Sequence, residues 1–209
     1  MCIRDSTRAG LAEIPEMLGR GKVTLQAIQG QLFENRNFMA QVVVPDLLAA
    51  CDKAPTAESR DGCAALKGWD RRNNVDARGA HVFREFWRTA RNIPGVHRVP
   101  FDPAQPVATP AGLKMEDAAT AAKVWEALDG AVKAIRTSGY TLDATLGSVQ
   151  RPAITEEAIA LHGGEEFEGV LNNLGRQEPA PINKAGLRID YGTSYVQTVT
   201  FDANGPVAQ

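Results

Sequence analysis

No apolar stretch in this 209-residue chain approaches the roughly 20 residues that a membrane-crossing helix requires. The run Val42-Val43-Val44 meets Pro45 and Asp46 at once. Charge of one sign is also scarce: 23 basic residues face 25 acidic ones, for a net −2. That balance supplies no electrostatic reason to expect a nucleic acid partner, and Arg71-Arg72 reads as a solvated helix face. With 44% hydrophobic residues the chain has enough apolar material for a core, which excludes a disordered polymer. The motifs of self-contained chemistry are missing as well. His81, His97 and His162 show no paired ligand spacing, and there is no G-x-S-x-G, C-x-x-C or Walker loop. Glu165-Glu166 and Asp70 could join a carboxylate pair, yet nothing selects a partner, so they read as solvated acids. Gly163-Gly164 reads as a tight backbone passage rather than a phosphate cradle.

The opening Met1-Cys2-Ile3-Arg4-Asp5-Ser6 has neither the basic start nor the apolar middle of a secretory leader. Residues 1–6 read as a non-native leader and are set aside, so this opening carries no information on compartment. Cys51 and Cys63 then remain, separated by a short loop. They fit either a disulfide, which implies an oxidising compartment, or two buried thiols acting as small hydrophobes. A thiol nucleophile is not indicated, because neither cysteine has a recognisable activating setting.

What is present divides in two, giving an α+β chain that is mainly helical over about 10–137. Thr24 is placed to cap a helix through Leu25, Ile28 and Leu32. A second helical segment, Phe38 to Cys51, is expected to kink or break at Pro45. Helices over about 58–69 and 80–91 follow, the latter closed by Pro94-Gly95. Four prolines between Val99 and Pro110 predict an extended surface crossing. Ala121, Trp125, Leu128, Val132 and Ile135 then draw one apolar stripe on a long helix that Gly139 ends. Over about 146–209 short antiparallel strands are expected: Leu146–Gln150, Ala158–Leu161, Leu187–Asp190, and a half-buried Tyr195–Phe201. Ala203-Asn204-Gly205 supplies a hairpin turn, but a returning arm starting at Val207 would be cut off at Gln209, which suggests truncation.

Read together, these segments resemble a known family. Thr24-Leu25-Gln26, Asn35-Arg36 and Val43-Val44-Pro45-Asp46-Leu47-Leu48-Ala49-Ala50-Cys51 are similar to the helical layer of penicillin acylase large chains. Leu66-Lys67-Gly68-Trp69-Asp70, Arg78-Gly79-Ala80 and Phe83-Arg84-Glu85-Phe86-Trp87 resemble a further helix of that family and the aromatic segment after it. His162-Gly163-Gly164 and Tyr191-Gly192-Thr193-Ser194-Tyr195-Val196-Gln197 resemble its later strands. Val99-Pro100-Phe101-Asp102 and the Cys51/Cys63 pair are most similar to the acyl-homoserine-lactone acylases within it.

The resemblance implies a piece of an N-terminal-nucleophile hydrolase of αββα architecture, with residues 7–209 part of a large-chain domain truncated at both ends. In that family a new amino-terminal serine attacks a linear amide, its own α-amine acts as base, and an asparagine and a backbone N–H stabilise the oxyanion. The serine, a nearby histidine and the asparagine would all lie before Thr7. The implied partners are the remainder of the large chain, the small chain of the same precursor and an acyl amide substrate, in a periplasmic or extracellular setting. No cofactor is expected here; a structural calcium in the complete family member would have no ligands assignable in this chain. A Cys51–Cys63 bridge is expected. One site residue carries over: Arg8, where the family keeps an arginine near its reaction centre. The alternative for Arg8 is an ordinary surface arginine. The alternative for the whole chain is a non-catalytic helical binding or scaffold module.

Overall fold

The apolar stripe read from residue 121 onward forms the longest element of the computed structural model, which describes residues 5–177, 180–203 and 205–208. The proposed turn residue Asn204, residues 1–4 of the stretch set aside and the terminal Gln209 lie outside the described residues. Seven helices are described: α1 (Asp5–Gly19), α2 (Leu25–Phe33), α3 (Phe38–Ala49), α4 (Ala57–Lys67), α5 (Ala80–Ala90), α6 (Ala118–Thr137) and the single turn α7 (Leu146–Val149). Asp117 caps α6 by accepting from the Thr120 backbone N–H at 2.8 Å, and Gly139 takes positive φ just beyond its end. Val124, Leu128, Val132 and Ile135 of that helix are fully buried. α4 and α5 pack on it, and Trp69, Phe83, Phe86 and Trp87 add an aromatic cluster to the same core.

Thr24 caps α2 as expected, accepting from the Ala27 N–H at 3.1 Å. None of its residues is fully buried, however: Leu25 and Leu32 are half-buried, and Ile28 and Phe33 stay exposed. The break expected at Pro45 does not occur, since α3 runs through it. Proline removes the hydrogen bond to the Gln41 carbonyl. Both Gln41 and Pro45 are exposed, so water can satisfy that carbonyl while Val43, Val44 and Leu47 anchor the buried side. Arg71-Arg72 is not a helix face: it follows α4 in a loop, Arg71 at φ +61° and Arg72 bridging to Arg36.

The region after α6 is α+β in composition, with three two-stranded ladders. β2 (Leu174–Gly175) pairs antiparallel with β4 (Tyr191–Gly192), and β5 (Val199–Asp202) with β6 (Gly205–Ala208). β1 (Gln150–Pro152) and β3 (Leu187–Ile189) run parallel, against the expectation of antiparallel pairing throughout. Most of the strand expected at Leu146–Gln150 is the helical turn α7, and Ala158–Leu161 is irregular. The Tyr195–Phe201 alternation becomes a strand only from Val199, and it is not half-buried: Tyr195 and Phe201 are about three-quarters exposed, at 76% and 77%. A two-residue alternation buries a face only when another layer lies against it, and none of the described residues supplies one. The returning hairpin arm is present and begins at Gly205, two residues before the expected start.

The Val99–Pro110 segment is a closed excursion rather than an extended crossing. Val99 and Ala111 exchange backbone hydrogen bonds at 2.9 and 3.0 Å, so the ends meet. Cys51 and Cys63 form a disulfide with Cα atoms 6.1 Å apart, tying the end of α3 to the middle of α4.

Candidate functional site

Two buried polar assemblies stand out, and the sequence pointed to one of them. Arg8 lies on α1, where it is 3% exposed, so the surface-arginine alternative fails. Its Nε donates to the Val107 carbonyl at 2.8 Å and its Nη2 to the Pro110 carbonyl at 2.6 Å, both on the Pro-rich excursion. The guanidinium carbon sits 5.1 Å from the Phe38 ring centroid, a cation–π arrangement. Nη1 is buried and has no partner. Burial pulls the Arg8 pKa down while nearby Asp5 pushes it back up. Asp5 is itself raised to about 6 by burial, against the attraction of Arg8 and Arg91. Asp5 and Ser6, set aside with the leader, are the first residues of α1.

The second assembly joins the helical half to the later loops. Arg84 and Glu168 are each fully buried and pair at 2.8 Å through Nε. Arg84 Nη1 donates to the Gln150 side-chain oxygen and Nη2 to the Gly163 carbonyl at 3.1 Å. Glu168 also accepts from the Asn37 amide at 2.9 Å, the Asn73 amide at 3.1 Å and the Glu165 N–H at 2.7 Å. Gly163-Gly164 is the tight passage expected. Gly163 has φ +104°, and a Cβ there would lie 2.6 Å from the Asn172 carbonyl oxygen; one on Gly164 would lie 2.8 Å from a Glu168 carboxylate oxygen. Glu165 is not a solvated acid: it is 4% exposed and receives Arg88 at 3.2 Å. Asp70 is exposed and accepts from the Arg72 N–H at 3.0 Å. The Asn172 amide donates to Asn35 at 3.0 Å, so it is consumed by packing and not free to meet an oxyanion.

The three histidines are separate from one another, and no group of three or more metal-binding side chains converges among the described residues. His81 is buried; its Nε2 donates to the Thr141 carbonyl at 3.1 Å. Burial depresses its pKa from 6.5 to about 4, partly offset by that bond. The unfolded chain therefore binds a proton that the fold refuses. His81's contribution to stability is complete above about pH 6.5 and declines as pH falls toward about 4. Asp5 has the opposite sign, gaining protons on folding between about 6 and 3.8. Comparison with His81→Gln isolates the histidine. The native chain should lose more stability than the variant over that acid range, measured as the urea midpoint, and equal losses would contradict it.

An open cleft of about 670 Å³ between α4, the end of α6 and residues 140–143 is lined by Asp61, Arg78, Arg136, Tyr140 and Asp143. Its charges are paired, Arg136 with Asp61 at 2.6 Å and Arg78 with Asp143 at 3.9 Å. None of its lining residues belongs to either buried assembly.

The sequence model of the penicillin amidase family matches residues 5–209. Acyl-homoserine lactone acylase PvdQ of Pseudomonas syringae pv. syringae is 32% identical over 207 residues, which is 97% of this chain and 26% of that protein. PvdQ of Pseudomonas fluorescens is 31% identical over 204 residues, 97% of this chain and 26% of that protein. Aculeacin-A acylase of Actinoplanes utahensis is 30% identical over 215 residues, 96% of this chain and 26% of that protein. The chain thus spans about a quarter of the length of the curated relatives it matches.

Proposed function

Because the chain belongs to the penicillin amidase family, we propose that it is a supporting segment of an amidohydrolase whose serine nucleophile lies outside these residues. The observation that carries this reading is the collinear match of nearly the whole chain to acylases about four times its length. The substrate class we propose is a linear amide joining an acyl group to a polar amine, either an acyl-homoserine lactone or a penicillin-type side chain. Its hydrolysis needs a nucleophile, a base and an oxyanion hole. The buried assemblies here are saturated by internal partners apart from a few nitrogens, which suits support rather than turnover. Arg8, whose buried Nη1 has no partner, is the residue we place beside the reaction centre.

The rest of the large chain and the small chain of the same precursor are the proposed partners. Supporting this, α1 leaves Leu11, Ile14 and Leu18 exposed, and α2 leaves Ile28 and Phe33 exposed. An apolar surface of that kind is stable when a further layer covers it. The compartment we propose is periplasmic or extracellular, where a disulfide such as Cys51–Cys63 persists.

Two measurements test the reading. The purified chain alone should release no amine from acyl-homoserine lactones or penicillins, and turnover by it would place the nucleophile within these residues. The complete gene product should hydrolyse such an amide, followed as appearance of primary amine. A folded complete product with no amide hydrolysis would favour the binding-module alternative.

A further inference from the structure

His162 is held from one side by a chain of asparagines. The side-chain nitrogens of Asn35 and Asn172 lie 2.9 and 3.3 Å from its Nδ1. Asn172 also donates to the Asn35 side-chain oxygen at 3.0 Å, and Asn35 to the Asn74 side-chain oxygen at 2.7 Å. Both Asn35 and Asn172 are buried, and Asn35 takes φ +50°, a conformation that asparagine adopts more readily than most residues.

An amide nitrogen donates and does not accept. Turning either amide over would set oxygen against a main-chain carbonyl, that of Phe33 for Asn35 and that of His162 for Asn172. Nδ1 is therefore the acceptor of the ring, and the proton sits on Nε2. His162 is half-buried, and its Nε2 makes no hydrogen bond with the described residues. Unlike His81 Nδ1, Nε2 is not sealed from solvent. The imidazole centroid stands 5.9 Å from that of Phe33, whose side of the pair is bare: Phe33 is 47% exposed. The surface thus offers an aromatic ring and, beside it, one N–H whose direction is fixed from behind.

A layer that covers Phe33 also covers this N–H, because the two rings pack together. A donor buried without an acceptor is costly, so a stable cover must bring an oxygen to Nε2. We propose that Phe33 and His162 form a docking surface for the part of the same precursor outside these residues, Phe33 meeting an apolar side chain and Nε2–H donating to a carbonyl oxygen. That occupant follows from length, since the chain spans 26% of the PvdQ of Pseudomonas syringae pv. syringae and the remainder is available to cover it. This rests on our reading of the chain as a supporting segment, and its test does not use turnover.

The test uses the complete gene product. In the folded protein Phe33 should lose its reactivity to hydroxyl radicals and match the fully buried Phe83 and Phe86. Reactivity equal to that of the urea-unfolded protein would overturn the docking surface. With 15N-labelled histidine, a slowly exchanging imidazole N–H resonance should be lost in His162→Asn, whose side-chain oxygen can still accept from Asn35 and Asn172. A spectrum unchanged by that substitution would show Nε2–H facing water and overturn its role as donor. If His162→Asn does not fold, Phe33→Ala serves: it should speed exchange of the same resonance, and unchanged exchange would overturn the pairing of the two residues. A complete product that protects Phe33 and hydrolyses no amide would sink the hydrolase reading and leave the docking surface standing; one that hydrolyses an amide with Phe33 bare would do the reverse.

Discussion

Arg84→Ala should destabilise the fold by about 3–5 kcal/mol, the range seen when one partner is removed from a buried ion pair. Glu168 accepts four hydrogen bonds in a site with no exposure, from Arg84, Asn37, Asn73 and the Glu165 backbone. The variant leaves its charge among neutral donors with no counter-ion. Gln150 and the Gly163 carbonyl lose their donor at the same time. Domain stabilities are about 5–15 kcal/mol in total, so the variant should lie close to the unfolded state at ambient temperature. Replacing both partners by apolar residues of similar size, Arg84→Met with Glu168→Leu, should lose less than Arg84→Ala alone, since no charge is stranded. Equilibrium unfolding in urea measures both. A loss below about 1 kcal/mol for Arg84→Ala would show that water reaches the carboxylate and that the pair behaves as an exposed one.

The second large effect concerns the Cys51–Cys63 bridge. It closes a loop of twelve residues between the end of α3 and the middle of α4. Constraining the unfolded chain over so short a loop is worth about 3 kcal/mol in the chain-entropy account. Cys63 is 6% exposed within the core, so its replacement adds a packing loss that Cys51, at the margin, does not. Cys51→Ala in the oxidised protein is therefore the cleaner probe, expected to shift the unfolding midpoint by the entropic amount alone. Reductant should reproduce that shift in the native chain and leave the variant unmoved. Alkylation of the denatured, unreduced chain followed by mass mapping should find neither Cys51 nor Cys63 modified; modification of both would remove the bridge.

Elements governed by local chemistry were legible from the residues. Thr24 begins α2, the 121–135 stripe is α6, and Gly139 stops it, because a cap, a period of 3.6 and a positive φ are all properties of nearby sequence. Pro45 was misleading for a reason equally local in form but distant in origin: it and Gln41, whose carbonyl it orphans, lie on the exposed side of α3, and only the packing of α3 decides that. The alternation at Tyr195–Phe201 signals a surface suited to a layer, not the presence of that layer. Arg84, Gln150 and Glu168 gave no signal at all, since single polar residues far apart look solvated until the fold brings them together. Arg8 was reachable only through family resemblance. Its burial and its two carbonyl partners about a hundred positions away lie beyond any reading of neighbours.

That separation has a kinetic side. The bond from Asn37 to Glu168 spans 131 residues and that from Arg84 to Glu168 spans 84. Chains are synthesised at about 5–20 residues per second, so Arg84 emerges roughly 4–17 s before its carboxylate exists. Over that interval α3 and α5 have formed sequence but no centre: a guanidinium and two asparagine amides must stay hydrated until the folded chain buries them. The amino-terminal half is thus synthesised open and is closed from behind by the 163–168 loop.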